Sequence, residues 1–190
     1  MSFSLLSYID ICIGNSEFRL NLGCRRSARE TASLKSKRQQ LAIEEAINNK
    51  CEDGLKVVGI EGKGRGVITT KQFARRDFVV EYAGDLIELP MAKDREADYS
   101  RCTTIGCYMY YFLHKNQWYC IDATAETNRR GRLINHSRRK PNCHTEVVEI
   151  NDCPCLIIKA LRDLDIGEEL LYDYGDNSKE ALKTHPWLAF

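Results

Sequence analysis

The sequence predicts a mainly β fold, with a core of several small sheets and few, short helices. Three observations carry this expectation. From residue 55 onward, short runs rich in Val, Ile, Thr and aromatic residues follow one another closely. Glycines at 59, 62, 64, 66 and 84, and the pairs Lys115-Asn116 and Asn151-Asp152, punctuate those runs. Only brief segments show a helical pattern, and no internal repeat or low-complexity tract interrupts the series.

Residues 1–35 show no sustained period. Arg25, Arg26, Arg29, Lys35, Lys37 and Arg38 make the region around 24–38 basic, which reads as a solvated flexible arm or as a nuclear-import or nucleosome-contacting arm. Residues 36–49 read as a helix with Leu41, Ala42, Ala46 and Ile47 as a rough apolar stripe. Strands follow at 55–60, 66–70, 78–82 and 85–89. Pro90 then opens a helix reaching residue 99, since proline suits the first helical position. Residues 108–114 and 117–121 make one hairpin, 143–150 and 155–160 another, with a helical turn at 128–133 between them. Residues 169–172 form the last strand, and Ser178 caps a short helix that stops before Pro186.

A chain of 190 residues, 43% hydrophobic and 29% charged, suits a single domain with a substantial core. A net charge of +1 gives no overall basic field of the kind that marks most nucleic-acid binders. No apolar run reaches the length of a membrane span. The apolar N-terminal run lacks a basic lead-in and is broken by Asp10, which argues against a signal peptide. Nine cysteines, an odd number at irregular spacing, point to a reducing compartment rather than a disulfide framework. Cys153-Pro-Cys155 invites a zinc reading, but a structural zinc needs four ligands and no second close pair accompanies it. No metal is expected.

Two stretches concentrate chemistry. In Gly131-Arg-Leu-Ile-Asn-His-Ser137, Asn135 and His136 follow an apolar couple and set two hydrogen-bonding side chains at a core edge. Such a pair grips a polar ligand or ties two loops. In Glu168-Glu-Leu-Leu-Tyr-Asp-Tyr-Gly175, Tyr172 and Tyr174 flank Asp173, so on an extended strand both phenols share a face. Gly62-Lys-Gly-Arg-Gly66 matches neither the P-loop spacing nor a dinucleotide fingerprint. It reads as a flexible loop, or as a place where backbone approaches a ligand closely. Glu81, Asp85, Glu88, Asp173 and Asp176 flank the tyrosines, either as scattered surface acids or as a groove that steers a basic peptide.

Taken together, GKGRGVITTKQF (62–73), DFVVEYAGDLIE (77–88), GCYMYYF (106–112), YCIDATAETNRRGRLINHS (119–137) and GEELLYDYGDNSKEALKTHPWL (167–188) resemble the SET-domain protein lysine methyltransferases. The resemblance is to the histone H4 lysine 20 monomethyltransferase branch, and it runs from about residue 36 to the C-terminus. It implies a SET-domain-like fold with a pseudoknot at the site, where Asn135–Ser137 meets Leu171–Gly175. It divides the chain into a basic arm (1–35), a flanking helix (36–54), the SET domain (55–177) and a short segment (178–190) that closes the cofactor site.

The implied cofactor is S-adenosylmethionine, with Lys63, Gly64 and Arg65 at its methionine end and Asn135 and His136 at its adenine. Tyr108 and Trp187 are further contacts by resemblance; core packing and a hydrophobic anchor are their ordinary alternatives. By the same resemblance Tyr174 orients the methyl and the amine, Tyr82 hydrogen-bonds the amine, and Tyr172 sets how many methyls fit. Many relatives close this site with a zinc-binding cysteine cluster after the tyrosines; this chain has no cysteine after Cys155. The implied partners are the histone H4 tail and the nucleosome, with an accessory DNA contact through Arg138-Arg139-Lys140. The implied protein is a monomer of the nucleus and chromosome, with no membrane association. Two other readings compete: a SET-like module that binds histone tails without turnover, and a nucleic-acid binder whose affinity would fall steeply with salt.

Overall fold

The computed structural model describes residues 31–102, 106 and 108–175. The expected helix 178–184 and Trp187 lie outside the described residues. Ten strands, two α-helices and one 3-10 turn make up the described chain. The strands form two small ribbons and two three-stranded sheets, so the mainly β class is what the molecule has.

Helix α1 spans Ala32–Asn48, with the Thr31 hydroxyl accepting the Leu34 amide as an N-cap. It therefore starts inside the stretch expected as a loose arm. Its buried face matches the expected one only in part: Leu41 and Ala42 are exposed, while the expected Ile47, together with Ile43, packs with Val148, Ile150 and Ile157. These two are four residues apart and share a helix face.

Strands β1 (Leu55–Ile60) and β2 (Gly64–Thr69) pair antiparallel in full register, Leu55 opposite Thr69 and Ile60 opposite Gly64. The glycine-rich stretch is thus the tip of this ribbon, and β2 begins two residues earlier than the sequence suggests. Strand β3 (Phe78–Glu81) joins β9 (Cys153–Ala160), which pairs in turn with β8 (Cys143–Ile150). Strand β4 (Asp85–Glu88) joins β6 (Gln117–Asp122), which pairs with β5 (Met109–His114). Helix α2 (Leu89–Ser100) covers that second sheet through Ala92 against Ile87 and Cys120.

Both hairpins turn where expected. Lys115 and Asn116, and again Asn151 and Asp152, all have positive φ, the conformation of the two-residue turn that suits twisted strands. The second hairpin runs two residues longer than expected, because Ile150 pairs with Cys153 across the turn. The turn expected over 128–133 shrinks to Gly131–Leu133.

Strands β7 (Asn135–His136) and β10 (Leu171–Tyr172) are short and pair in parallel. Segment 168–170 bonds on its other side to β2, through Thr69 N–H to Glu168 O and Leu170 N–H to Val67 O. The buried Asn142 side chain accepts from the Leu171 amide and donates to Glu169 O. The last strand is thus held between segments far apart in sequence, the knot-like crossing that the motifs imply.

Candidate active site

Two glycines make the close approaches that build the site. A Cβ on Gly131 would lie 2.2 Å from the Glu81 carbonyl oxygen, so only glycine lets the turn before β7 press on β3. A Cβ on Gly66 would lie 2.6 Å from Ile60 Cγ1 and 2.7 Å from Asn135 Nδ2, so glycine there leaves room for the Asn135 side chain beside β2.

The parallel pair then aligns the polar and phenolic residues. Tyr172 stands opposite His136, and the Tyr174 amide donates to His136 Nδ1 at 3.1 Å. Nδ1 therefore accepts, which places the ring proton of the neutral imidazole on Nε2. The Tyr174 hydroxyl donates to Ile134 O at 2.9 Å, and the His136 and Tyr174 rings meet edge-on at 5.0 Å.

The tyrosines form one connected cluster. Ring centroids are 4.7 Å apart for Tyr172 and Tyr174, 6.4 Å for Tyr110 and Tyr172, and 5.9 Å for Tyr82 and Tyr110. Tyr82 and Tyr172 are buried, and the Tyr82 hydroxyl donates to Tyr108 O at 3.0 Å. Burial raises the Tyr172 and Tyr174 phenols well above the ordinary range, with nearby phenols adding to the effect. Both stay protonated at neutral pH and cannot serve as bases; they offer aromatic walls and hydroxyl groups.

On the other side of Asn135, Lys63 Nζ lies 2.9 Å from Glu169 Oε2, and Asn135 Nδ2 donates to Glu169 Oε1 at 3.0 Å. Arg65 makes a two-pronged contact with Glu126 at 2.7 and 3.2 Å. Hydrogen bonds from Arg65 and Arg132 hold the exposed Glu126 carboxyl down at about 2. Arg132 is 3% exposed and lies 3.9 Å over the Tyr108 ring, with Nε donating to Ala123 O at 2.6 Å. Tyr108 thus packs on a cation, accepts from Tyr82 through its carbonyl, and lies against the main core.

The structure gathers Tyr82, Tyr172 and Tyr174 in one cluster, and the Asn135–Glu169–Lys63 chain borders it through β7. Gly64 sits at φ 79° with open space before it, and Arg65 follows on β2. Sequence reading passed over Glu169, Glu126, Arg132, Tyr110 and Thr145. Glu169, Glu126, Arg132 and Tyr110 lie within the motif stretches, but nothing local in the sequence shows which partners they meet. A cavity of about 310 Å³ lined by Lys50, Glu52, Asp53, Asn128, Arg129 and Arg130 contains none of the predicted site residues. Among the described residues no group of three or more His, Cys, Asp or Glu side chains is placed to hold a metal, and no described helix is long and apolar enough to cross a membrane.

The profile of the SET domain matches residues 64–175, which span β2 to the tyrosine motif. The chain belongs to the SET-domain family. An N-lysine methyltransferase KMT5A of Xenopus tropicalis is 56% identical over 165 residues, 87% of this chain and 48% of that protein. The histone-lysine N-methyltransferase set-1 of Caenorhabditis elegans is 46% identical over 86% of this chain and 68% of its own length. A crystal structure of CpSET8 from Cryptosporidium superposes with a TM-score of 0.68 at 40% identity, covering 79% of this chain and 71% of that one. The chain spans about half the length of the KMT5A relative.

Proposed function

We propose that this SET domain is an S-adenosylmethionine-dependent protein-lysine N-methyltransferase. Its proposed product is monomethyl-lysine at lysine 20 of histone H4, made on nucleosomes. The observation that carries the reading is the compact cluster of Tyr82, Tyr172 and Tyr174, the first two buried, set directly against the Asn135-His136 strand.

The residues at the ribbon tip fit the cofactor. Lys63 and Arg65 are cations matched to a carboxylate, and each is already engaged by one, Glu169 and Glu126. A ligand carboxylate exchanges with these partners rather than meeting bare charge. Gly62 and Gly64 have positive φ and nothing within 4 Å of where a Cβ would stand, so backbone is open to a ligand there. Asn135 and His136 complete a set of polar groups suited to an adenosine-bearing zwitterion. When bound, S-adenosylmethionine supplies the electrophilic methyl and a sulfonium charge.

The chain's own residues handle the lysine. A free lysine with pKa of about 10.4 is neutral in about one molecule in a few thousand at pH 7, a deficit of about 4–5 kcal/mol. A buried aromatic pocket lowers that deficit by disfavouring the ammonium. Tyr82 uses its proton on Tyr108 O, so its oxygen accepts from the amine. Tyr174, fixed through Ile134 O and His136, holds the line of attack. Tyr172 limits the room beside the amine, and hence the number of methyls. Exposed Arg138, Arg139 and Lys140 beyond β7 are the proposed accessory contact with nucleosomal DNA. A nuclear, chromosomal setting goes with this substrate.

Tritiated cofactor with nucleosomes and with free histones, followed by mapping of the labelled lysine, tests the proposal. One methyl on the H4 tail is the expected product. Tail binding without label would favour the binding-module reading, and label elsewhere would remove the substrate assignment.

A further inference from the structure

We propose that Tyr110, tethered by Thr145, is a positioning residue that controls how many methyl groups are added by fixing the ring of Tyr172. The inference rests on the reading of Tyr172 given above and extends it to two residues outside that reading.

Tyr172 is 2% exposed and packed among other phenols. The place of its ring is therefore set by packing. Two rings touch it: Tyr174 at 4.7 Å and Tyr110 at 6.4 Å. Tyr110 also meets Tyr82 at 5.9 Å, with its plane tilted by 54°, so it stands as a wedge between the other two phenols.

Tyr110 is itself tied down. Its hydroxyl lies 2.7 Å from Thr145 Oγ1, within the half-buried interior. Tyr110 is on β5, in the β4–β6–β5 sheet, and Thr145 is on β8, in the β3–β9–β8 sheet. One hydrogen bond thus links the two sheets beside the tyrosines. It also indexes the wedge to the sheet whose strand β3 leads into Tyr82. Cutting this tether leaves the Tyr110 ring its packing but releases its hydroxyl end. The Tyr172 ring then gains freedom on the side away from Tyr174, and the space beside a monomethyl amine grows. Tyr174, fixed by its own bonds to Ile134 and His136, keeps the attack aligned, so the first methyl transfer continues.

The test compares Tyr110→Phe, Thr145→Val and Thr145→Ser with the parent and with Tyr172→Phe, each on nucleosomes. Mass spectrometry gives the mono- to dimethyl ratio, and single-turnover rates give the first transfer. Tyr110→Phe and Thr145→Val should each raise the dimethyl share about fivefold, the worth of one net hydrogen bond. Their double variant should add nothing further, because both cut the same bond. Thr145→Ser, which keeps the hydroxyl, should behave as the parent. A purely structural role would slow both transfers in parallel and leave the ratio unchanged, which overturns the inference. If Tyr172→Phe makes dimethyl-lysine while Tyr110→Phe does not, this inference alone fails. If Tyr172→Phe itself stops at one methyl, the role of Tyr172 is wrong and the inference falls with it.

Discussion

The polar contacts at the site are few enough to be argued one side chain at a time. Asn135 joins Lys63 through Glu169, so its amide fixes the carboxylate that holds the Lys63 cation. Removing it leaves Glu169 with one partner fewer and, on the proposed reading, the cofactor without a polar contact. Asn135→Ala should weaken S-adenosylmethionine binding by about 1–3 kcal/mol, with the domain still folded; calorimetry on a variant with parental circular dichroism reads this directly. Undiminished affinity would take Asn135 out of the site.

Tyr174→Phe makes a different prediction. It removes the donor to Ile134 O and leaves a buried carbonyl unpaired, at a cost of about 1–3 kcal/mol. Every methyl transfer should slow by about tenfold or more, with product number unchanged. A fully active Tyr174→Phe would contradict the alignment role proposed for it. The nearness of Tyr172 and Tyr174 was legible because a spacing of two residues in extended chain places both phenols on one side, although only Tyr172 lies within β10. Glu169 was not, because nothing local tells an acid that meets Asn135, 34 residues away, from an ordinary surface glutamate. Tyr110 and Thr145 were illegible for the same reason: their bond joins two sheets.

Elements were easier to find than their working faces. Turn chemistry marked both hairpins, since the paired residues Lys115-Asn116 and Asn151-Asp152 adopt positive φ. The α1 stripe was right at Ile47 but wrong at Leu41 and Ala42, because its register depends on where β8 and β9 present Val148, Ile150 and Ile157. The 3-10 turn before β7 matters more to the site than its size suggests. It presses on β3 through Gly131, and β3 runs directly into Tyr82. Gly131→Ala would force a carbon against the Glu81 carbonyl at 2.2 Å, and backbone must move to relieve it. Such overpacking costs about 1–3 kcal/mol, a fall of several degrees in Tm for a domain of this size. Activity should fall further than stability explains, because the displaced elements carry Asn135, His136 and Tyr82. Melting and rate measured on one preparation, below the melting range, separate the two effects; a variant that loses neither would show that the approach is slack.

Across the whole molecule the charges nearly cancel, 28 basic against 27 acidic side chains, so no large net repulsion opposes folding at neutral pH. Acid sensitivity then depends on particular carboxylates. The clearest is Asp122, 4% exposed at the end of β6, where the second sheet meets the loop that leads to Arg132. Burial alone would raise its carboxyl. Hydrogen bonds from Arg95, from the Thr124 amide and from Tyr99 outweigh that and bring it below the ordinary aspartate value. A carboxyl lowered by folding stabilises the folded state above its unfolded value, near 3.8, and loses that contribution as pH falls through the folded value. Glu81 has the opposite sign: burial raises it, Arg129 offsets only part of that, and protonation there favours the folded form. Asp122→Asn should therefore be less stable than the parent at pH 7, by about 1–3 kcal/mol for the lost charged partners of Arg95 and Tyr99. Its urea midpoint should change less between pH 7 and strong acid, and the two proteins should converge at the acid end. Parallel curves across the whole range would show that Asp122 does not carry the acid limb, and that the link between the second sheet and the site is held by packing instead.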